Sequence, residues 1–217
     1  MNKIKYIIIS TLISLGLGQN YPPVVEVWSS TTWTGCPYAR AALSILEENN
    51  DAIAIIWSED TYNSPGWQSR MEAYGYPTYS PYVVFNGVFN TQGYGNTSQM
   101  YQSYVDIING PTYAGITVPP IVDYSSPMDM SIDFLQNESG DFLITASIEV
   151  VDSFEASNPK VVFIVKKNMN VNYFATVVEF ETTDFELNTI GDVGQFEHTY
   201  ANDGSDINDL TAVVLVQ

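Results

Sequence analysis

The sequence predicts a mixed α/β domain followed by an all-β antiparallel sandwich. Three observations carry this expectation. Strand-like and helix-like runs alternate from Val24 to Asn109, a strict two-residue alternation takes over from Met128, and a proline-bearing stretch separates the two textures.

The first half reads element by element. Val24 to Trp28 is a buried strand, and a helix follows from Pro37 to Asn50, where Ala39, Ala42, Leu43 and Leu46 share a face at helical spacing. Pro37 suits the first helical turn, where its missing N–H costs nothing. Ala52 to Trp57 is a second buried strand. Trp67, Met71 and Tyr74 mark a short helix that Gly75 ends. Tyr82 to Phe85 is a third strand, Asn86-Gly87 a hairpin signal, and Val88 to Thr91 the returning strand. Tyr101, Tyr104, Val105 and Ile108 line a last helix. The order is β-α-β-α-β-β-α, a parallel crossover followed by a hairpin.

Gly110-Pro111 and Pro119-Pro120 bracket a linker over 111–125, leaving an α/β domain at 19–110 and an all-β domain at 126–217. In the latter, Met128 to Phe134, Phe142 to Val150, Val161 to Val165, Phe174 to Phe180, Gln195 to Tyr200 and Leu210 to Val216 make about six strands.

Charge excludes two classes of partner. The 217 residues hold 25 acidic and 7 basic side chains, a net −18. A nucleic-acid binder needs a basic footprint, and an anionic lipid surface would repel this chain. The simplest use of the excess is solubility. The first residues read as a signal peptide at 1–18, with Lys3 and Lys5 before the apolar run from Tyr6 to Leu17. Gly16 and Gly18 place small residues before a cut after Gly18; an uncleaved anchor is the rival reading, although the run is short for a span. Cleavage leaves 5 basic against 25 acidic residues, −20. The expectation is a secreted, periplasmic or outer-envelope protein without a stable membrane span.

The candidate site is Trp33-Thr34-Gly35-Cys36-Pro37-Tyr38-Ala39, between the first strand and the first helix. Cys36 is the single cysteine, so no internal disulfide forms. A sulfur at a helix N-terminus faces unpaired N–H groups and the positive end of the helix dipole, and both favour the nucleophilic thiolate. The position favours an exposed or semi-exposed thiol over an inert core one. Trp33 and Tyr38 would wall a surface for an extended peptide. Pro81, just before the third strand, is a turn or edge residue.

These residues carry a resemblance. The stretch 24–109 resembles the thioredoxin superfamily. Cys36-Pro37-Tyr38-Ala39 resembles a glutaredoxin site with its second cysteine replaced by Ala39. Cys36 to Leu43, with Leu210 to Gln217 as a closing strand, resembles the exported outer-membrane-protein-like thioredoxin family of Bacteroidetes-type bacteria, in which a thioredoxin domain precedes a β-sandwich. The resemblance implies a cis Pro81 opposite Cys36, preferred over the competing Pro77, with the backbone of Ser80 turned toward an incoming peptide. It leaves two registers. Cys36 is the attacking cysteine with Ala39 in the resolving position, or it is the second cysteine with Trp33 or Thr34 in the first. Either way the dithiol is missing and a cycle through an internal disulfide is impossible. A peroxiredoxin is disfavoured, since Trp33 stands where a threonine is wanted.

Other constellations carry less. His198, the single histidine, falls in the predicted sandwich and is not expected to pair with Cys36. Cysteine and histidine are too few for a zinc site, Asp203 to Asp209 lacks the EF-hand spacing, and no cofactor is expected. Glu59-Asp60 reads as a solvated pair more readily than as a proton acceptor. Asn96-Thr97-Ser98 and Asn137-Glu138-Ser139 match a glycosylation sequon, relevant only in a eukaryotic secretory pathway. Two functions follow: thiol–disulfide exchange by Cys36 alone on a peptide or protein partner, with Trp33, Pro37, Tyr38, Ser80 and Pro81 holding it, or a non-catalytic binding module of the envelope.

Overall fold

The computed structural model describes residues 21–75, 79–93, 95–110, 112–113, 116–117 and 126–217. The signal peptide expected at 1–18, Pro77, and most of the linker expected at 111–125 lie outside them. The first half runs β1 (Val24–Ser29), α1 (Cys36–Glu48), β2 (Ile53–Ser58), α2 (Trp67–Glu72), β3 (Tyr82–Phe85), β4 (Phe89–Gln92) and α3 (Thr97–Asn109). A small β5 (Thr112–Tyr113) and β6 (Ile116–Thr117) pair with each other. Six strands follow: β7 (Met128–Gln136), β8 (Phe142–Val150), β9 (Lys160–Lys167), β10 (Thr176–Asp184), β11 (Val193–Tyr200) and β12 (Leu210–Val216).

The protein is a mixed α/β fold with a seven-stranded mixed sheet and a second antiparallel sheet. The long sheet has the order β12-β9-β10-β2-β1-β3-β4, and the other is β11-β8-β7. β1 and β2 are parallel in the register Val24↔Ile53 to Ser29↔Ser58, while β3 is antiparallel to β1. Strand alternation then divides the side chains. Val25, Val27, Ala54, Ile56, Val83 and Phe85 form a core with α1 and α3, and Trp28, Ile55, Trp57, Tyr82 and Val84 form another with Met71 of α2. Trp28 and Trp57 are partners in the register and stack with ring centroids 5.8 Å apart.

The sequence suggests two units joined by a linker; the structure runs one sheet through both. Thr176 of β10 pairs in parallel with Ile56 of β2, and the Ile56 N–H donates to Ala175 O at 2.9 Å. β9 is buried on both sides. Val162 and Ile164 join the tryptophan core, and Val161, Phe163 and Val165 pack with Phe142, Ile144, Ala146 and Ile148 of β8. The second antiparallel sheet therefore packs on the continuation of the first. β10 also extends past the expected Phe180 to Asp184, because β9 offers it antiparallel partners as far as Lys160.

Buried charge ties the elements together. Glu26 of β1 accepts from Arg70 Nη2 (2.7 Å) and Nε (2.9 Å), Trp57 Nε1 (3.0 Å) and the Tyr74 hydroxyl (2.8 Å). The Arg70 and Glu26 side chains are 5% and 2% exposed. Arg70 Nη1 also donates to Gln217 Oε1, which brings the final residue to α2. At the seam, Lys166 donates to Ala54 O at 3.0 Å and to Glu47.

Removing one partner of a desolvated pair strands the other charge. Arg70→Ala is expected to cost about 3–5 kcal/mol in urea unfolding. Lys160→Ala, which breaks an exposed pair with Asp184, should change stability by about 0–1 kcal/mol.

Candidate functional site around Cys36

The site sits where β1 and β2 end and α1 begins. Cys36 is the first residue of α1, with Pro37 in the first turn. The Ser80–Pro81 peptide is cis. Two glycines make room for this proline. A Cβ on Gly35 would approach Pro81 Cδ at 3.1 Å, and one on Gly93 would meet Pro81 Cγ at 2.8 Å. Gly93 N–H donates to Pro81 O at 3.2 Å, closing the cradle. Sequence reading places Gly35 in the site without this role and misses Gly93, whose signal is its position just after the returning strand.

Cys36 corrects one expectation. The helix-terminal position suggests an exposed or semi-exposed thiol, yet Cys36 is 0% exposed. The physical reason is the turn from Ser30 to Gly35, which folds back on the sulfur: the Ser30 N–H donates to Sγ at 3.4 Å, and the Cys36 N–H donates to Trp33 O at 3.1 Å. From the opposite side, the Ser80 hydroxyl lies 3.2 Å from Sγ. That hydroxyl donates its one hydrogen to Trp28 O at 3.0 Å, which leaves its lone pairs to accept from the Cys36 thiol.

The other expected residues separate by exposure. Trp33 and Tyr38 are 47% and 46% exposed and flank the buried sulfur, and Pro37 is exposed with them. Ser80 and Pro81 are buried. Ser80 thus meets Cys36 through its side chain. Behind the sulfur, the buried Tyr104 hydroxyl has no hydrogen-bond partner, and burial, with the nearby Cys36 adding to it, holds it protonated. Arg40, one turn into α1, is buried, bonds Ser29 Oγ and stacks 4.1 Å over the Tyr173 ring.

The two acids after β2 behave differently. Asp60 secures the turn that covers the sulfur, accepting from the Thr31 hydroxyl (2.6 Å), the Thr31 N–H (2.8 Å) and the Ser30 hydroxyl (2.9 Å). Its slight burial raises its pKa, but these bonds and the Thr61 N–H outweigh that and lower it to about 2. Glu59 is half-buried, with Oε1 enclosed and unpartnered. Burial pushes its carboxyl above the usual carboxylate range, the Ser80 hydroxyl opposes this, and the Asp60 charge adds to it.

The remaining candidates lie elsewhere. His198 of β11 meets Glu179 at 3.1 Å and packs on Phe163, within the layered strands. Asp206 caps a single 3₁₀ turn by accepting the Asn208 N–H, and Asp203 faces Lys167 at 3.7 Å. Among the described residues, no group of three or more His, Cys, Asp or Glu side chains is placed to hold a metal ion, and no helix is long and apolar enough to cross a membrane.

The fold has solved counterparts. HBP35 of Porphyromonas gingivalis, a Bacteroidetes protein, aligns with a TM-score of 0.61 at 14% identity, over 92% of this chain and 69% of that one. Protein AGR_C_4864 from Agrobacterium tumefaciens aligns with a TM-score of 0.53 at 13% identity, over 91% of this chain and 95% of that one. At these identities the likeness is one of fold. No family model and no curated protein matches the chain.

Two measurements follow. A carboxylate with a depressed pKa stabilises the native state above its ordinary value of 3.8, and that contribution is lost as pH falls through about 2. The Thr31 amide resonance should therefore titrate with a midpoint near 2 rather than near 3.8. At neutral pH, Asp60→Ala releases the covering turn and should speed iodoacetamide alkylation of Cys36 about fivefold for a loss of about 1 kcal/mol in loop anchoring.

Proposed function

We propose that this chain is an exported thioredoxin-like protein, a thioredoxin-type unit continued by a β-sandwich, that carries out slow monothiol exchange at Cys36. The carrying observation is the sulfur at the start of α1 held against Ser80, the residue before the cis Pro81. The exposed Trp33, Pro37 and Tyr38 border this point and suit an extended peptide or a protein disulfide. The Cys36 thiolate attacks one sulfur of a partner disulfide, the partner's S–S bond breaks, and the other sulfur leaves as a thiolate. Since Cys36 is the only cysteine, a second, external thiol must resolve the mixed disulfide. Export to the envelope rests on the N-terminal pattern of Lys3, Lys5 and the apolar run after them.

One observation favours a second reading. A sulfur with no exposed surface must wait for the turn at 30–35 to open before it can react. If that opening is too rare, the surface around Trp33 and Tyr38 works as a non-catalytic binding module. Intact mass after incubation with glutathione disulfide separates the two. The exchange reading expects the native protein to gain one glutathione, and Cys36→Ser to gain none. An adduct that forms only after denaturation would leave the binding module.

A further inference from the structure

We propose that β12 pairs with β12 of a second copy of this chain, antiparallel about Val214, and so joins two seven-stranded sheets into one. The inference is independent of the chemistry at Cys36.

The ladder to β9 fixes which backbone groups of β12 are free. Lys160 N–H donates to Gln217 O at 2.7 Å and Gln217 N–H donates to Lys160 O at 3.0 Å, a closely spaced pair. Such pairs alternate along an antiparallel strand, so Leu215, Val213 and Thr211 also turn their N–H and C=O groups to β9. Leu210, Ala212, Val214 and Val216 turn theirs the other way. The Leu210 N–H is taken up by Ile207 O in the preceding turn. β12 is an outermost strand of its sheet, and the N–H and C=O groups of Ala212, Val214 and Val216 have no partner among the described residues.

Nothing on this edge resists a neighbouring strand. Open edges are ordinarily protected by charge, proline, bulges or short length. Residues 210–217 hold no charged residue and no proline, and their register with β9 is unbroken from Leu210↔Lys167 to Val216↔Val161. The other edge strands differ. β4 has four residues, and β11 carries Glu197. β7 carries Asp129 and Asp133, and the Tyr21 hydroxyl caps its Met130, accepting the N–H at 2.7 Å and donating to the C=O at 3.2 Å.

Charge and symmetry select a second copy as the occupant. At net −18, copies of this chain repel wherever their acidic side chains face one another, and β12 offers a contact that has none. The three free residues are also their own complement. With a two-fold axis at Val214, this residue faces the second copy's Val214, Ala212 faces its Val216, and Val216 faces its Ala212. Each of these three facing pairs exchanges two N–H···O=C bonds, six in all. Both apolar layers continue across the seam. Val214, with Ala212 and Val216, belongs to the core beneath β8, and Val213, with Leu215, to the tryptophan core. Val213 then sits opposite the second copy's Leu215, and apolar surface that Ala212, Leu215 and Val216 leave half-buried is covered.

Sedimentation equilibrium and amide hydrogen exchange on the full chain test this. The expected result is a monomer–dimer equilibrium that strengthens as NaCl is raised, because salt screens the repulsion between acidic copies. The Ala212, Val214 and Val216 amides should exchange more slowly as protein concentration rises, while those of Val213 and Leu215, already bonded to β9, should not respond. Ala212→Pro removes an outward N–H and spares the β9 ladder, so it should weaken the dimer about tenfold or more, two of the six bonds being lost. A monomer at every concentration and salt level overturns the proposal and leaves the edge to a different protein. A dimer that Ala212→Pro leaves intact overturns it by placing the contact on another face. Protection of the three amides that does not vary with concentration overturns it by giving the edge to another segment of this chain. If Ala212→Pro does not fold, the wild-type exchange decides alone.

Discussion

The outer edge of β2 is the constraint on which the rest of this structure depends. β1 lies between β2 and β3, so the far side of β2 would present unpaired N–H and C=O groups beside a run of apolar side chains. β10 meets that edge through Ala175 and Thr176, and Lys166 covers Ala54 O close by. With β10 in place, its hairpin partner β9 and then β12 extend the sheet. Their outer apolar face in turn needs cover, which β7, β8 and β11 provide. One unsatisfied strand edge thus leads to the whole second half of the protein.

Charge reinforces the same seam. Burying Glu26 and Arg70 is unfavourable in itself, and the cost is met by giving the carboxylate four donors and the guanidinium a further acceptor in Gln217. Such a network selects one arrangement of β1, β2, α2 and the C-terminus. Misplacing any of them leaves a desolvated charge unpaired. In a chain with only 7 basic residues, three of them, Arg40, Arg70 and Lys166, are buried in contacts inside the protein.

The site inherits its form from this frame. β1 and β2 end side by side, so Ser29, Ser30, Glu59 and Asp60 come together above the strand ends. Asp60 draws the turn after β1 inward, and that turn closes over Cys36. Ser80 enters from the segment before β3 and contributes a hydroxyl where a backbone surface was expected. The contacts that hold the sulfur also hide it from solvent. Reactivity at this point is tied to how often the turn at 30–35 opens.

Much of this was legible in the residues. Helical spacing from Ala39 to Leu46, the two apolar strands, the Asn86-Gly87 turn and the alternation after Met128 are local patterns, set by side-chain period and turn chemistry, and the elements stand where those patterns put them. Cys36 and Pro81 could be singled out because a helix start and a proline before a strand are likewise local. The sequence by itself therefore determined the elements, their order and the position of the cysteine. Only the tertiary structure decided that β10 joins β2, that Cys36 is buried, and that the Ser80 hydroxyl meets its sulfur. Those outcomes depend on which distant strand satisfies an open edge and on where a turn is pulled by a remote carboxylate, and neither leaves a periodic trace in the chain.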